Sequence, residues 1–478
     1  MTRRKTAAGT ILCALLMGAG VGCRRSHPRI RSPLEQDQVR PEAEWLRMEP
    51  VRLLRDYIRI DTTSRQGPGE REGALFLQRF FECAGIDSEL VCPAPGRCNL
   101  LARIPGRRRD GALLLLNHID VVGAFPELWK DAPPFSGAIK NGYLYGRGAY
   151  DMKSLALCQA IALRRLKESG ITPETDILFL AEADEEVDEK WGSRWLLEHR
   201  PEWFRGVAAV VNEGGTNEII LRELRFWGVE ALQAGYGTLE FEADSKGALQ
   251  DLASAVSRFP GETVEPHPQV VESFAMLAGH LPYPQSAWLS DLSWLRRNPE
   301  ILHRWVADRY GSFLEPRIHW EGPYAFPPNQ ARTFRSYVVA SVPPGIEPDL
   351  YLDPIAKGAA SSVRLVSRSS SGPTVASPYP TPFTELLKRV SLAFHPGVPF
   401  GPAPTYGGMT TSMYFRGAGI PAYGYSPILM NITDEVRRHG NDERVFLRDY
   451  VNGVEILDQV VKEYAFFPEK TPGFRPKK

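Results

Sequence analysis

The sequence has no net charge, few cysteines and no apolar run long enough to cross a membrane comfortably. Lysine plus arginine and aspartate plus glutamate both total 57 in 478 residues, so the charge balance does not point to nucleic acid as a partner. Six cysteines without a C-x-x-C spacing argue against a cysteine-ligated zinc site. The chain is 43% hydrophobic, which supplies core for two or three domains, and its function must be read from local groups of residues.

The N-terminus has the features of a bacterial export signal. Basic residues precede an apolar, small-residue stretch from Ala7 to Gly22, which is too short for a comfortable membrane span. The small residues before Cys23 resemble the cleavage and lipidation site of bacterial lipoproteins, although Gly20 stands where that pattern usually has Leu. We expect residues 1–23 to be an export signal of the lipoprotein type and residues 24–46 to be a linker. The mature protein would then be periplasmic, or membrane-anchored in a bacterium through a lipidated Cys23; an uncleaved N-terminal anchor is the alternative.

Two of the remaining cysteines bracket a turn. Cys92 and Cys98 lie on either side of PAPGR, whose prolines and glycine favour a tight reversal of the chain. In an oxidising periplasm these two thiols are placed to form a disulfide.

Helical and extended patterns alternate along most of the chain. Short apolar runs such as GALLLLN, DILFLAEA and GVAAVVNE are separated by segments with helical spacing such as LALCQAIALRRLKESG. Helices between strands predict an α/β fold with a mostly parallel sheet flanked by helices, formed by residues 47–221 and 374–470. Residues 222–373 alternate like antiparallel strands, which predicts an inserted α+β domain. The Ser/Pro-rich stretch from Val363 to Pro382 predicts the return link.

Four segments that carry reactive side chains follow apolar runs of the strand type. They are NHID at 117–120, GRGAYDMKS at 146–154, ADEEVD at 183–188 and VNEGG at 211–215. In an open α/β sheet the carboxyl ends of the strands line the ligand crevice, so segments that follow strands meet in space. A fifth segment, RRHGNDERV near the C-terminus, supplies a further imidazole at His439.

The side chains of these segments form a set that predicts a metal centre. The set comprises His118, Asp151, Glu185, Glu186, Glu213 and His439. So many carboxylates in one crevice would repel one another unless divalent cations were present, and mixed imidazole and carboxylate ligands suit zinc. His118 and Asp120 lie two apart on an extended chain and project to one face, so Asp120 is placed to orient the imidazole. We interpret Glu182, Asp184 and Asp188 as solvated surface charges.

The motifs, taken in their order along the chain, resemble those of the M20 family of dinuclear zinc peptidases. This family comprises aminoacylases, dipeptidases and carboxypeptidases. The matching segments are His118-Ile-Asp120, Trp129 to Phe135, Tyr145 to Lys153, Asp184-Glu185-Glu186, Glu213-Gly-Gly and His439 to Glu443. The resemblance covers residues 48–465 and implies a zinc-peptidase core with a lid or dimerisation domain at 222–373. Glu213-Gly-Gly, rather than Glu-Pro-Thr, is similar to the aminoacylase and yeast-type carboxypeptidase branch.

The resemblance also implies a role for each site residue. The implied ligands are His118 and Glu213 for one Zn²⁺, Glu186 and His439 for the other, and Asp151 as the bridge between them. Asp120 would orient His118, and Glu185 would be the general base that acts on the metal-bridging water. Co²⁺ or Mn²⁺ are alternative metals. The implied substrates are short peptides or N-acyl amino acids, and the implied assembly is a homodimer through the inserted domain.

Three departures from the family pattern bear on function. Members usually carry a Gly-x-His-Ser-like turn early in the insert, whereas TLEFEADSKGALQDLASAV has no histidine there. Thr411 stands where the family motif Gly-Gly-Thr-Asp would place an acid. The segment VVASVPPG lacks the arginine that usually binds the substrate carboxylate in this family, which leaves Arg332 or Arg335 as replacements.

These departures make an exported zinc-containing binding or scaffold protein with little turnover the alternative, although such a protein would not need Glu185. A different aminopeptidase family with a similar metal core is disfavoured by the size of the insert.

Overall fold

The computed structural model describes residues 40–64, 69–187, 190–220, 223–257, 264–302, 310–326, 332–403 and 409–466. The predicted export signal, with Cys23, and most of the predicted linker lie outside the described residues, as does Asp188. Among the described helices, none combines the length and the apolar character that a membrane span requires.

The first half of the described chain alternates helices with strands. Its elements are α1 (Glu42–Trp45), α2 (Glu49–Ile58), α3 (Arg71–Cys83), β1 (Asp87–Ala94), β2 (Arg97–Ile104), β3 (Arg108–His118), β4 (Ala138–Lys140), β5 (Tyr143–Tyr145), α4 (Lys153–Glu168), β6 (Thr175–Glu182), α5 (Ser193–His199) and β7 (Val207–Asn212). Short 3₁₀ helices lie at Pro126–Leu128 and Pro201–Phe204. The apolar runs and the helical segment predicted from periodicity in this half correspond to β3, β6, β7 and α4.

The second half contains the insert and the return to the first sheet. Its elements begin with β8 (Thr216–Ile220), β9 (Glu223–Val229), β10 (Gly235–Ala243), α6 (Lys246–Ser257), α7 (Pro268–Ala278), α8 (Gln285–Ser290), α9 (Leu292–Arg297), α10 (Pro299–Ile301), a 3₁₀ helix (Gly311–Phe313), β11 (Arg317–Phe326), β12 (Thr333–Val342) and α11 (Asp349–Gly358). They continue with β13 (Arg364–Ser370), α12 (Pro382–Phe394), β14 (Phe400–Pro402), α13 (Ser412–Gly417), β15 (Ala422–Gly424), β16 (Met430–Asn431), α14 (Ile432–Glu435), β17 (Arg444–Phe446) and α15 (Leu447–Phe466).

A six-stranded sheet forms the centre of the molecule, in the order β1-β2-β6-β3-β7-β15. Strands β6, β3, β7 and β15 are parallel, and β2 and β1 extend the sheet with antiparallel pairing. Both faces are buried because side chains alternate across the strands: Leu113 and Leu115 pack into a core shared with α4 and α15, whereas Leu114 and Leu116 pack with Trp203. The predicted α/β fold with a mostly parallel sheet flanked by helices is therefore confirmed.

The insert contains a separate antiparallel sheet, in the order β11-β12-β10-β13, with α6 and α11 packed on it around a core of its own. The predicted return link was wrong in its first part, because Arg364–Ser370 is strand β13, paired with β10. This edge strand is largely exposed on both faces, so its Arg and Ser side chains carry no apolar alternation that sequence reasoning could detect. The domain boundaries at 222 and 373 stay predictions.

Two smaller sheets complete the fold. One has the order β14-β9-β8-β16, and the other, β17-β5-β4, is antiparallel. The pairing of β17 with β5 brings the segment that precedes Arg444 alongside the segment that follows Tyr145. Two distant stretches that carry His439 and Asp151 are therefore neighbours in space.

Candidate metal centre

Three adjacent parallel strands deliver side chains to one edge of the central sheet. Strand β3 ends at His118, β6 is followed by Glu185 and Glu186, and β7 is followed by Glu213. Because these strands run in the same direction, their carboxyl ends meet, as the sequence predicted. The β5–β17 pairing adds Asp151 from the loop before α4.

The five residues predicted as ligands come together around the carboxylate of Asp151. His118 Nε2 lies 3.2 Å from Asp151 Oδ1 and 3.6 Å from Glu213 Oε1. His439 Nε2 lies 3.0 Å from Asp151 Oδ2 and 3.1 Å from Glu186 Oε2. Each oxygen of Asp151 therefore faces a different histidine, which is the arrangement that a bridging carboxylate requires.

The pKa shifts of the clustered residues show that their carboxylates repel one another and that a cation would stabilise their ionised forms. Burial, together with the charge of Asp151, raises the pKa of Glu213 to about 8. Burial and the charge of Asp151 also raise the pKa of Glu186 above its usual value. Hydrogen bonds to Asp151 and Glu186 raise the pKa of His439 to about 10. Burial opposes ionisation of Asp151, but its hydrogen bonds with His118 and His439 hold its pKa well below the usual range.

The donor atoms present fit divalent metal ions. Three groups of imidazole and carboxylate donors have their candidate ligand atoms within 4.8 Å of one another: His118, Asp151 and Glu213; His118, Glu185 and Glu186; and Asp151, Glu186 and His439. Among the described residues, Glu186 Oε1 is buried and has no hydrogen-bond partner, so this oxygen has a free lone pair for a cation. Imidazole with carboxylate is a donor set that zinc and related transition metals accept.

Asp120 contacts both the imidazole of His118 and the backbone of the Glu185–Glu186 pair. Its main-chain oxygen lies 2.9 Å from His118 Nδ1, closer than its carboxylate Oδ1 at 3.6 Å. The carboxylate instead accepts hydrogen bonds from the backbone N–H groups of Glu185, at 3.2 Å, and Glu186, at 2.9 Å. Asp120 therefore fixes the imidazole through its backbone and the Glu185–Glu186 pair through its side chain.

Comparison with known proteins decides the family. The sequence profile of Peptidase family M20/M25/M40 matches residues 114–463. The chain belongs to this family. Its membership confirms the predicted resemblance and implies metal-dependent amide hydrolysis, so the protein is a hydrolase.

Individual relatives agree with this assignment. Aminoacylase-1 of Homo sapiens is 27% identical over 432 residues, which cover 87% of this chain and 96% of the relative. The M20 metallo-carboxypeptidase Sso-CP2 from Sulfolobus solfataricus superposes with a TM-score of 0.68 at 15% identity, covering 87% of this chain and 99% of that one. Human carnosine dipeptidase 1 superposes with a TM-score of 0.64 at 16% identity, covering 90% and 99% of the two chains. These two structures show that the M20 fold is shared.

Glu443 is a site residue of this M20 chain to which sequence reasoning gave no role. Its buried carboxylate accepts hydrogen bonds from the backbone N–H groups of Gly148, Tyr150 and Asp151, and from Arg147 Nη1 at 2.7 Å. The loop that presents Asp151 is therefore built around a residue four positions after His439. The HGNDE motif contained this glutamate, but only the folded chain shows that it connects the two ligand loops.

Two of the acidic residues interpreted as solvated are buried in the M20 core, so that interpretation was wrong. Glu182 is 1% exposed and accepts hydrogen bonds from Thr411 Oγ1 and from Ser193 N. Burial raises the pKa of Glu182 to about 7. Asp184 is 3% exposed and accepts from Lys190 N. An acidic run next to a strand end does not reveal from sequence which of its members point inward.

The residues suggested as substitutes for missing family features lie in other contacts. Arg335 is paired with Glu240 and Glu242 on the inserted sheet, and Arg332 is exposed. Within the described part of the insert, the first histidine is His267, which accepts a hydrogen bond from Gln269 N at the beginning of α7. These contacts give neither Arg332 nor Arg335 a role in substrate binding.

A cavity beside the centre has a cation in its wall. Asp151 and Glu213 line it together with Asn217, Ser426 and Arg438. Within the described residues, the Arg438 guanidinium makes no hydrogen bond and no ion pair. Burial opposes its charge, but its acidic neighbours, first of all the carboxylate of Asp151, raise the pKa of Arg438 above its usual value. The guanidinium is therefore charged and has donors available to a ligand.

Proposed function

We propose that this chain is a di-zinc amidohydrolase that cleaves an amide bond in short peptides or N-acyl amino acids. The observation that carries the proposal is the convergence of two histidines and two further carboxylates on Asp151, with Glu185 directly beside the ligand Glu186. His118, Glu213 and Asp151 would hold one ion, and Glu186, His439 and Asp151 the other. Co²⁺ or Mn²⁺ are the alternative metals.

The residues of the chain divide the chemistry between binding and proton transfer. Zinc, when bound, polarises a carbonyl and lowers the pKa of a coordinated water from ~15.7 toward ~7. Glu185 is the proposed general base, which accepts a proton from the attacking water and returns it to the nitrogen of the departing amine. Asp120 supports this role because its carboxylate holds the backbone of Glu185 in place.

The substrate class is proposed from the relatives and from the cavity. The names aminoacylase and carnosine dipeptidase denote enzymes that act on acylamino acids and on dipeptides. Both kinds of substrate carry a free carboxylate. Arg438 lines the cavity beside Asp151 and Glu213 and has donors available, so we propose that it pairs with this carboxylate.

A metal analysis combined with a substrate panel tests the proposed function. We expect about two zinc ions per chain, together with turnover of at least one dipeptide or N-acyl amino acid, in protein comprising residues 24–478. Removal of the metal with a chelator should abolish turnover, and addition of Zn²⁺ should restore it. Protein that binds metal but turns over no member of the panel would favour the alternative of a zinc-containing binding protein.

Replacement of Arg438 tests the substrate class. Arg438→Met should raise KM for an N-acetyl amino acid about 10- to 100-fold, because a charge-assisted hydrogen bond worth about 1.5–3 kcal/mol is lost. The matched substrate is the corresponding N-acetyl amino acid amide, which has no carboxylate and whose KM should not change. Equal losses on both substrates, or loss of metal from the variant, would contradict a role in carboxylate recognition.

Export and assembly are also proposals. We propose that the chain is an exported lipoprotein in a bacterium, attached through Cys23; the disulfide between Cys92 and Cys98 supports an oxidising compartment. We further propose that it forms a homodimer through the insert, whose sheet has β11 and β13 at its edges. Mass measurement of the processed N-terminus and light scattering of the purified protein test these two points.

A further inference from the structure

A disulfide closes the tip of the β1–β2 hairpin, next to the acidic segment of the site. Cys92 and Cys98 are bonded, as the sequence predicted. The two residues on either side of Cys98 are Arg97 and Asn99, and both side chains reach the segment from Ala183 to Trp191, of which the structure describes 183–187 and 190–191. This segment, called the acidic segment below, carries Glu185 and Glu186.

Asn99 joins the two ends of that segment. Its Oδ1 accepts a hydrogen bond from Ala183 N at 2.9 Å, and its Nδ2 donates to Trp191 O at 2.9 Å. The Asn99 side chain is fully buried, so these hydrogen bonds are shielded from water. One amide group therefore sets the distance between the points where the acidic segment leaves and rejoins the core.

Arg97 fixes the interior of the segment from the other side of the disulfide. Its Nη1 donates to Glu70 Oε1 at 2.6 Å and its Nη2 to Ser64 O at 2.7 Å, which locks the guanidinium against the start of α3. Its Nε lies 3.8 Å from Asp184 Oδ1. Asp184 has a φ of 70°, a left-handed conformation that few residues other than glycine, asparagine and aspartate adopt, and its carboxylate is held by Arg97 and by Lys190 N.

We infer that the disulfide-closed hairpin positions the Glu185–Glu186 pair, with Arg97 and Asn99 as positioning residues. This inference rests on the proposed function, in which Glu185 carries the proton and Glu186 binds metal. Asp120, which lies two residues after the end of β3, holds the same two residues through their backbone N–H groups, so the pair is supported from two separate parts of the chain. The disulfide restrains Cys98, which lies between the two positioning side chains.

The effect on catalysis should be on rate rather than on substrate affinity. A displacement of about 1 Å at a reacting group can cost ~100-fold in rate. Neither Arg97 nor Asn99 lines the cavity that contains Arg438, so substrate binding is not expected to depend on them. Loosening the hairpin should therefore lower kcat and leave KM nearly unchanged.

Three variants of the full chain with bound metal test the inference. Arg97→Met should lower kcat about 10- to 100-fold with KM changed less than about 2-fold. Arg97→Lys should restore much of the loss because it keeps a cation beside Glu70 and Asp184. The matched control is Arg103→Met, because Arg103 also lies on β2 and pairs with a buried carboxylate, Asp176, at 3.6 Å. It makes no hydrogen bond or ion pair with the described residues of the acidic segment, 183–187 and 190–191. The control should keep its kcat.

Hydrogen exchange separates a positioning role from general destabilisation. The backbone amides of residues 183–187 should exchange faster in Arg97→Met and in the Cys92→Ser, Cys98→Ser double variant, which leaves Arg97 and Glu70 in place. Exchange in α15 should not change. If Arg97→Met and Arg103→Met lose kcat equally, or if exchange at 183–187 is the same as in the unmodified chain, the inference is wrong. If the unmodified chain has no turnover, the proposed function fails, and the exchange result alone decides whether the hairpin supports the segment.

Discussion

Replacing Glu185 with glutamine is expected to lower kcat by about 100- to 10,000-fold, the range typical of a lost general acid–base group. Glutamine keeps the size and the polar character of the side chain but cannot accept the proton from water. The metal content should stay at the level of the unmodified chain, because in the proposed assignment Glu185 is not a ligand. The measurement is steady-state kinetics on the best substrate of the panel, with metal determined by elemental analysis on the same sample.

This experiment distinguishes between two roles for Glu185, that of general base and that of metal ligand. Glu185 and Glu186 both lie close enough to His118 for their oxygens to belong to one ligand group. Loss of metal from Glu185→Gln would make Glu185 a ligand and would contradict its role as base. Glu385→Gln, at the exposed start of α12, is the control and should keep both metal and activity.

Replacing Glu443 with glutamine is expected to have the largest effect on stability. Glu443 and Arg147 are 1% and 2% exposed, and removal of one partner from a buried ion pair typically costs about 3–5 kcal/mol. Glutamine would also direct its amide N–H groups toward Arg147 or Gly148, two groups that themselves donate. Because the same carboxylate holds the backbone of Asp151, metal affinity should fall as well, by about 10- to 100-fold.

Urea unfolding and a zinc titration of the chelator-treated protein measure these two losses. The control is Glu240→Gln, which breaks the ion pair with Arg335 on the inserted sheet. That pair is partly exposed, so its loss should cost no more than about 1 kcal/mol and should not change zinc affinity. A Glu443 variant that loses stability but binds zinc as tightly as the unmodified chain would contradict the link between Glu443 and the ligand Asp151.

Much of the metal centre could be predicted because it depends on local patterns. Apolar runs predict buried strands, and reactive residues directly after such runs predict a shared edge of a parallel sheet; His118, Glu186 and Glu213 follow this rule. The segment with Asp151 also follows a strand, β5, but this strand lies in a separate antiparallel sheet, and the β5–β17 pairing brings Asp151 and His439 to the centre. For His439, the resemblance to the M20 family supplied what periodicity could not. Strand β13 was missed because an exposed edge strand has no apolar face.

The sequence by itself determined the kind of core, the family, the set of acidic and imidazole side chains and the pairing of Cys92 with Cys98. These follow from spacing along the chain, which sets the direction of neighbouring side chains. Only the tertiary structure decided that Glu182 is buried against Thr411, that Glu443 holds the loop of Asp151, and that Arg97 and Asn99 contact the Glu185–Glu186 segment. Such contacts join residues far apart in the chain, and their hydrogen bonds exist only once the packing of strands and loops has excluded water and fixed the distances.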